Sequence, residues 1–299
     1  MRGSTAPLLS IGHDYTMWED GNAAAQPQSL SAADQPLSII KYWIQHCDER
    51  HGRSSCTAGG PQSSRSESQQ GRRLPGRFIA VGVAGDEMVY LQATDARYSY
   101  KWVALSHQWG REGVHQQFCT TKQNIRRHVN GMRVDDLADT YRDAVKVTRD
   151  LGCAYLWIDS VCIVQGAGGD FDTQAKLMEQ VYSGAYVVLA ACRAPGHYGG
   201  FLQPRQEKAQ VLLDKQGSTQ RVCLVEVVDD FQQHVLGSQL YQRAWVLQEH
   251  ALARRTIYFT DHQVYFECGS GVRCESMTKM TKRVLSGLVK SCETLCCDC

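Results

Sequence analysis

The sequence predicts an α/β fold: a parallel sheet flanked by helices, with an N-terminal extension and an added β-rich insertion. Three observations carry this. The stretches KWVALS (101–106), CAYLWID (153–159) and YVVLAA (186–191) are short and almost continuously apolar, as strands buried on both faces are. The segments between them have helical periodicity. The chain has 299 residues, 43% hydrophobic and 21% charged, enough to bury a sizeable core.

In chain order, residues 1–36 lack apolar periodicity and carry Pro7, Pro27 and Pro36, so they read as a loose leader. In residues 37–47, Ile39, Ile40, Trp43, Ile44 and Cys47 fall on one helical face. Residues 59–73 contain no hydrophobic residue and read as a linker or surface loop. RFIAVGV (77–83) and EMVYLQA (87–93) flank Ala-Gly-Asp as a hairpin. After the first buried strand, 119–129 reads as a helix. Residues 134–152 read as an amphipathic helix striped by Val134, Leu137, Tyr141, Ala144, Val145, Thr148 and Leu151 and stopped by Gly152. A helix over 171–185 precedes the third strand. QVLLD (210–214) and RVCLVEV (221–227) form an inserted strand pair, 240–252 a helix, and TIYFT (256–260) with QVYFEC (263–268) a second hairpin. From about residue 98 the pattern is one of alternating strands and helices.

Composition narrows the function. Lys+Arg 32 against Asp+Glu 31 leaves a net charge of +1, without the basic excess of a dedicated nucleic-acid binder. The longest apolar run, Ala185 to Cys192, is far too short to span a bilayer, and no secretory leader is evident. The 13 cysteines are odd in number and scattered through apolar segments, so they read as reduced thiols of a cytoplasmic protein. Four of them, Cys292, Cys296, Cys297 and Cys299, crowd the last eight residues, and that tail is assigned no function.

No glycine-rich phosphate loop, HExxH or GxSxG is present, so chemistry must be argued from position. Ligands of open parallel sheets bind beyond the carboxyl ends of the strands. Those ends are Ser106-His107-Gln108-Trp109-Gly110, Asp159-Ser160-Val161-Cys162 and Ala191-Cys192-Arg193. Ser106, His107 and Trp109 either build a substrate loop or form a turn packed on the sheet. Asp159 is either a ligand group or an acceptor for backbone amides of the next turn. Cys162 with His107 would make a nucleophile–base pair, against the plainer reading of a buried thiol. In RAWVLQE (243–249), Trp245 and Glu249 are four apart on a helix, so the indole is positioned to shield the carboxylate from water and raise its pKa; the plainer reading puts Trp245 in the core and Glu249 in solvent. Cys47-x3-His51-x4-Cys56 looks like half a zinc site, which His46 or a distant Cys would have to complete; the expectation is no metal.

WVALSHQWG (102–110), TYRDAVKVTRDLGCAYLWIDSVCIVQ (140–165), MEQVYSGAYVVLAAC (178–192) and RAWVLQE (243–249) resemble, in order and spacing, the signature blocks of the fungal heterokaryon-incompatibility (HET) domain. WIDSVCI and RAWVLQE are the most specific, and Gln108 stands where many members have Cys or Arg. The extent of the resemblance implies a division into an extension at 1–97, a central domain at 98–250 and a C-terminal hairpin with a Cys-rich tail at 251–299. The resemblance implies an effector of non-self recognition that triggers programmed cell death, working with protein partners of the incompatibility system. It also implies a relation to Toll/interleukin-1 receptor (TIR) domains, hence a TIR-like or flavodoxin-like sheet. TIR domains show a similar W-x3-E spacing, and enzymatic members need that Glu to cleave NAD. On this resemblance Glu249 is the candidate catalytic residue, and Ser106, His107, Trp109, Asp159, Ser160, Arg243 and Trp245 surround the substrate. NAD is then a substrate, and no resident cofactor or metal is expected. The competing reading is a non-enzymatic TIR-like module that signals by docking or self-assembly; a Cys162-based hydrolase ranks last.

Overall fold

A computed structural model describes residues 9–12, 35–51, 56, 74–110, 117–205, 210–214, 221–226, 230–275 and 279–280. The linker expected at 59–73 and the terminal cysteine cluster lie outside these residues. The chain begins with β1 (Leu9–Gly12), α1 (Gln35–His51), β2 (Arg77–Ala80), β3 (Met88–Ala93) and β4 (Trp102–Ser106). It continues through β5 (Thr120–Thr121), α2 (Ile125–Asn130), β6 (Met132–Arg133), α3 (Asp139–Asp150), β7 (Tyr155–Trp157), α4 (Asp159–Cys162) and β8 (Val164–Gln165). Next come α5 (Phe171–Ala175), α6 (Met178–Gly184), β9 (Val187–Ala190), β10 (Gln210–Asp214), β11 (Arg221–Glu226) and α7 (Ala244–Leu252). The last elements are β12 (Arg255–Phe259), β13 (Val264–Cys268), β14 (Gly271–Cys274) and β15 (Lys279–Met280).

One ten-stranded mixed sheet organises the molecule, in the order β15-β14-β13-β12-β9-β4-β7-β2-β3-β6. Its centre is parallel: β4 pairs with β7 on one side and β9 on the other, and β9 pairs with β12. The parallel strands therefore lie in the spatial order second, first, third, fourth. Every residue of β4 is buried, so both faces of the sheet are covered there. Trp102 and Ser106 share one face of β4. The Trp102 indole N–H donates to the Val181 carbonyl at 3.1 Å, which seats α6 on that face.

Both predicted hairpins join this sheet, so it crosses the boundaries expected at 97/98 and 250/251. β2 pairs antiparallel with β3 and with β7, and β12 pairs antiparallel with β13 and parallel with β9. The inserted pair, β10 with β11, forms a separate small sheet. Its third strand is β1, from the segment expected to be a loose leader.

Other differences from expectation sit at element ends. The helix expected from Val134 starts at Asp139, because Val134–Asp136 closes a 3-10 turn and Leu137 is extended. Asp139 then stands in the first turn, where the helix dipole favours an acid. The helix stops at Gly152, whose φ of 65° suits glycine. The helix expected over 171–185 is two pieces, α5 and α6, because Leu177 N–H turns back three residues to the Gln174 carbonyl. The helix expected over 119–129 opens with the short strand β5, paired to β8, before α2 begins.

Candidate functional site

The site lies at the carboxyl end of β4, between its parallel neighbours. The chain passes from β4 to β7 on one side and then back across β4 to β9 on the other. A doubly wound sheet opens its ligand crevice at such a reversal. Ser106 is registered with Ala190 of β9, and its carbonyl accepts the Ala191 N–H at 2.9 Å.

On the α6–α7 face, the Ser106 hydroxyl donates to Glu249 Oε2 at 2.5 Å, although the two residues are 143 positions apart. Glu249 is 7% exposed, and the buried Tyr182 of α6 acts electrostatically on its carboxyl. Burial pushes the Glu249 carboxyl up to about 7. The Asp159 charge adds to the rise, while Ser106, Arg243 and Tyr182 hold it back. Glu249 also stands in the last turn of α7, where the helix dipole disfavours a carboxylate.

His107, one residue on, joins a second network beneath α3. Its Nε2 lies 3.2 Å from the Tyr141 hydroxyl, which is in turn 2.6 Å from Ser160 Oγ. Its Nδ1 is 3.9 Å from Asp159 Oδ1 and has no hydrogen-bond partner among the described residues. Asp159 accepts the Trp109 indole N–H at 2.9 Å and the Ser160 backbone N–H at 2.7 Å. Burial raises the Asp159 pKa despite these bonds. It also drives His107 down to about 3, helped by the Arg243 charge, so this imidazole is neutral across the physiological range. Arg243, at the N-terminal boundary of α7, donates to the His107 carbonyl at 2.7 Å and so fixes α7 against the loop after β4.

Ser106, His107, Trp109, Asp159, Ser160, Arg243 and Glu249 are thus brought together. Trp245 departs from the expected arrangement: it is 65% exposed and does not shield Glu249. Four helical positions still leave two side chains about 40° apart around the axis. Here that offset, at the first turn of α7, separates solvent from core. The burial of Glu249 therefore comes from elsewhere in the fold, not from this indole.

Three participants were not singled out from sequence. Tyr141 sat unremarked in the apolar stripe of α3. Tyr182 adjoins Val181 on α6. His197 belongs to the loop after β9, four residues beyond the strand end Ala191-Cys192-Arg193. Its Nδ1 accepts the Phe118 N–H at 2.9 Å, and its ring centroid lies 5.1 Å from that of His107. His197 Nε2 has no hydrogen-bond partner among the described residues, so two neutral imidazoles each present an unpaired nitrogen here.

Cys162 does not fit the nucleophile reading. Its thiol is buried and pushed up to about 12 by desolvation, and the ring neighbours of His107 are Tyr141 and His197. The Cys47, His51, Cys56 half-site gains a fourth potential ligand, Cys268 at the end of β13, which removes the ground for expecting no metal there. Among the described residues, no helix is long and apolar enough to cross a membrane.

Residues 102–249 match the family model "Heterokaryon incompatibility protein (HET)". The chain is a HET-domain protein. No curated protein and no solved structure matches it. The HET match begins with β4 and ends on Glu249, so the two residues joined by the 2.5 Å hydrogen bond both fall inside it.

Proposed function

We infer that this chain acts in heterokaryon incompatibility as a death effector, and that its HET domain does so by cleaving the nicotinamide–ribose bond of NAD. The observation that carries this reading is the buried Glu249 carboxyl, raised to about 7 and bonded to Ser106 at the reversal point of the parallel sheet. A carboxyl poised near neutral pH beside a hydroxyl in a sheet crevice is the arrangement found where a group must take up and release charge during a reaction. The four parallel strands run 2-1-3-4 in space, as the first strands of flavodoxin-like sheets do, and such sheets bind nucleotides at this edge, which supports the TIR-like reading.

In the proposed reaction the C–N bond breaks with its electron pair leaving on nicotinamide. Water adds to the ribose carbon, and one proton passes to solvent, giving nicotinamide and ADP-ribose. The intermediate charge resembles that of glycoside hydrolysis. Ionised Glu249 would stabilise the cationic sugar or hold its hydroxyls. The unpaired nitrogens of His107 and His197 and the half-buried Asp159 would orient the polar groups of the substrate.

The test is to incubate the purified full chain with NAD and follow nicotinamide release, with Glu249→Ala and Cys162→Ala beside it. Release by the wild type and by Cys162→Ala, lost in Glu249→Ala, supports the reading. No release by the wild type, even when the protein is forced to assemble, overturns it. Exposed Trp245 favours a second reading, a docking or self-assembly module without chemistry. On that reading a folded Glu249→Ala chain still kills in a fungal host.

A further inference from the structure

We propose that Cys47, His51, Cys56 and Cys268 bind one structural zinc ion that ties α1 to the end of β13. Their ligand atoms, three Sγ and one imidazole nitrogen, all lie within 4.8 Å of one another. Cys56 Sγ and Cys268 Sγ are each 3.8 Å from His51 Nδ1. A tetrahedron with Zn–S of about 2.3 Å and Zn–N of about 2.1 Å has edges of about 3.6–3.8 Å. The two sulfur–imidazole distances match such edges, and the remaining pairs, within 4.8 Å, need to close by no more than about 1 Å to complete the tetrahedron.

Each ligand is placed by a separate local cause. Cys47 and His51 are four apart near the C-terminal end of α1, on one face of the helix. Cys56, five positions beyond His51, is held through both its side chain and its backbone. Its sulfur accepts the Gly269 N–H at 3.2 Å, and its carbonyl accepts Arg255 Nε at 2.9 Å. Cys268 closes β13, and the Ser270 hydroxyl lies 3.2 Å from its sulfur. Hydrogen bonds of this kind to sulfur are the usual outer support of a metal thiolate.

The charges also suit a metal. Binding takes three thiol protons to solvent with no change of oxidation state, and Zn²⁺ with three thiolates and a neutral imidazole carries a net charge of −1. Arg255, 1% exposed, stands beside the cluster. Its Nη2 is paired with Asp48 at 2.6 Å, while Nη1 has no hydrogen-bond partner among the described residues. Three sulfurs and one imidazole select zinc over hard cations, and four protein ligands leave no open position for catalysis. None of the four ligands lies within residues 102–249, so the ion would fasten the segment before the HET match to the strand after it.

The experiment is metal analysis of the full chain, expressed in zinc-supplemented medium and purified without chelator. The expected content is about one zinc per chain. Exchange with Co²⁺ should give the intense visible bands of a tetrahedral site together with thiolate charge transfer. Cys268→Ser should lower zinc affinity by more than about tenfold, since even changes to supporting groups cost that much. Cys119→Ser, a partly exposed thiol outside the cluster, should leave zinc affinity unchanged. Wild-type protein without zinc, without tetrahedral cobalt bands, or with a disulfide among these cysteines as its native state overturns the proposal. Because the wild-type measurements need no variant, a failure of Cys268→Ser to fold leaves the test intact.

Discussion

Glu249→Gln keeps the shape of the side chain and removes its titration. At roughly 1.4 kcal/mol per pKa unit, the rise from the ordinary 4.5 to about 7 is worth on the order of 3 kcal/mol. The sign follows from proton binding. The folded state holds this proton more tightly than the unfolded one, so the associated stability is complete below pH 4.5 and is lost as pH rises through about 7. The unfolded carboxyl is already partly ionised at pH 5, which leaves most of the loss, roughly 2–3 kcal/mol, between pH 5 and pH 8. Urea unfolding of wild type and Glu249→Gln across that range isolates the effect, because every other titrating group is common to both. The wild type should fall by roughly 2–3 kcal/mol relative to the variant as pH rises. Parallel stability curves would show that Glu249 is not held protonated by burial, and the reasoning about the site would fail with them.

Other outcomes follow from neighbouring contacts. Tyr141→Phe removes a hydroxyl shared by His107, Ser160 and the Phe118 carbonyl, and should cost about 1–3 kcal/mol in urea unfolding. Gly184→Ala would place a methyl group 2.7 Å from two ring atoms of Trp102, whose indole is pinned to Val181, and should cost about 1–3 kcal/mol by overpacking. Trp245→Ala should change stability by no more than about 0.5 kcal/mol, since the indole is exposed; a larger loss would contradict its placement. His107 and His197, each held near 3 chiefly by burial, should show no NMR titration between pH 5 and pH 8.

The central strands were legible because burial on both faces leaves a nearly unbroken apolar run, as in WVALS. The polar residues that end such runs, Ser106 and Asp159, were legible for the same reason: a parallel sheet gives its strand ends one address. What the sequence concealed was partnership. Tyr141 and Tyr182 look like core residues, and only packing shows that both join polar networks. Trp245 looks like core too, yet residue type does not fix which side of a short helix faces solvent. Cys268 is 217 residues from His51, a distance that local spacing does not bridge. The sheet likewise absorbs β2, β3 and β12–β14, because strand pairing takes no account of boundaries drawn from the strand–helix pattern and from the extent of a family resemblance.

The most direct test of the account is the pH dependence of nicotinamide release from NAD by the full chain, at NAD concentrations well below KM, beside Glu249→Gln. A rate that rises through an inflection near pH 7 in the wild type, with activity abolished in the variant, is the predicted result. Release that persists in Glu249→Gln, or that shows no inflection near pH 7, would contradict the claim that Glu249 is the reacting group.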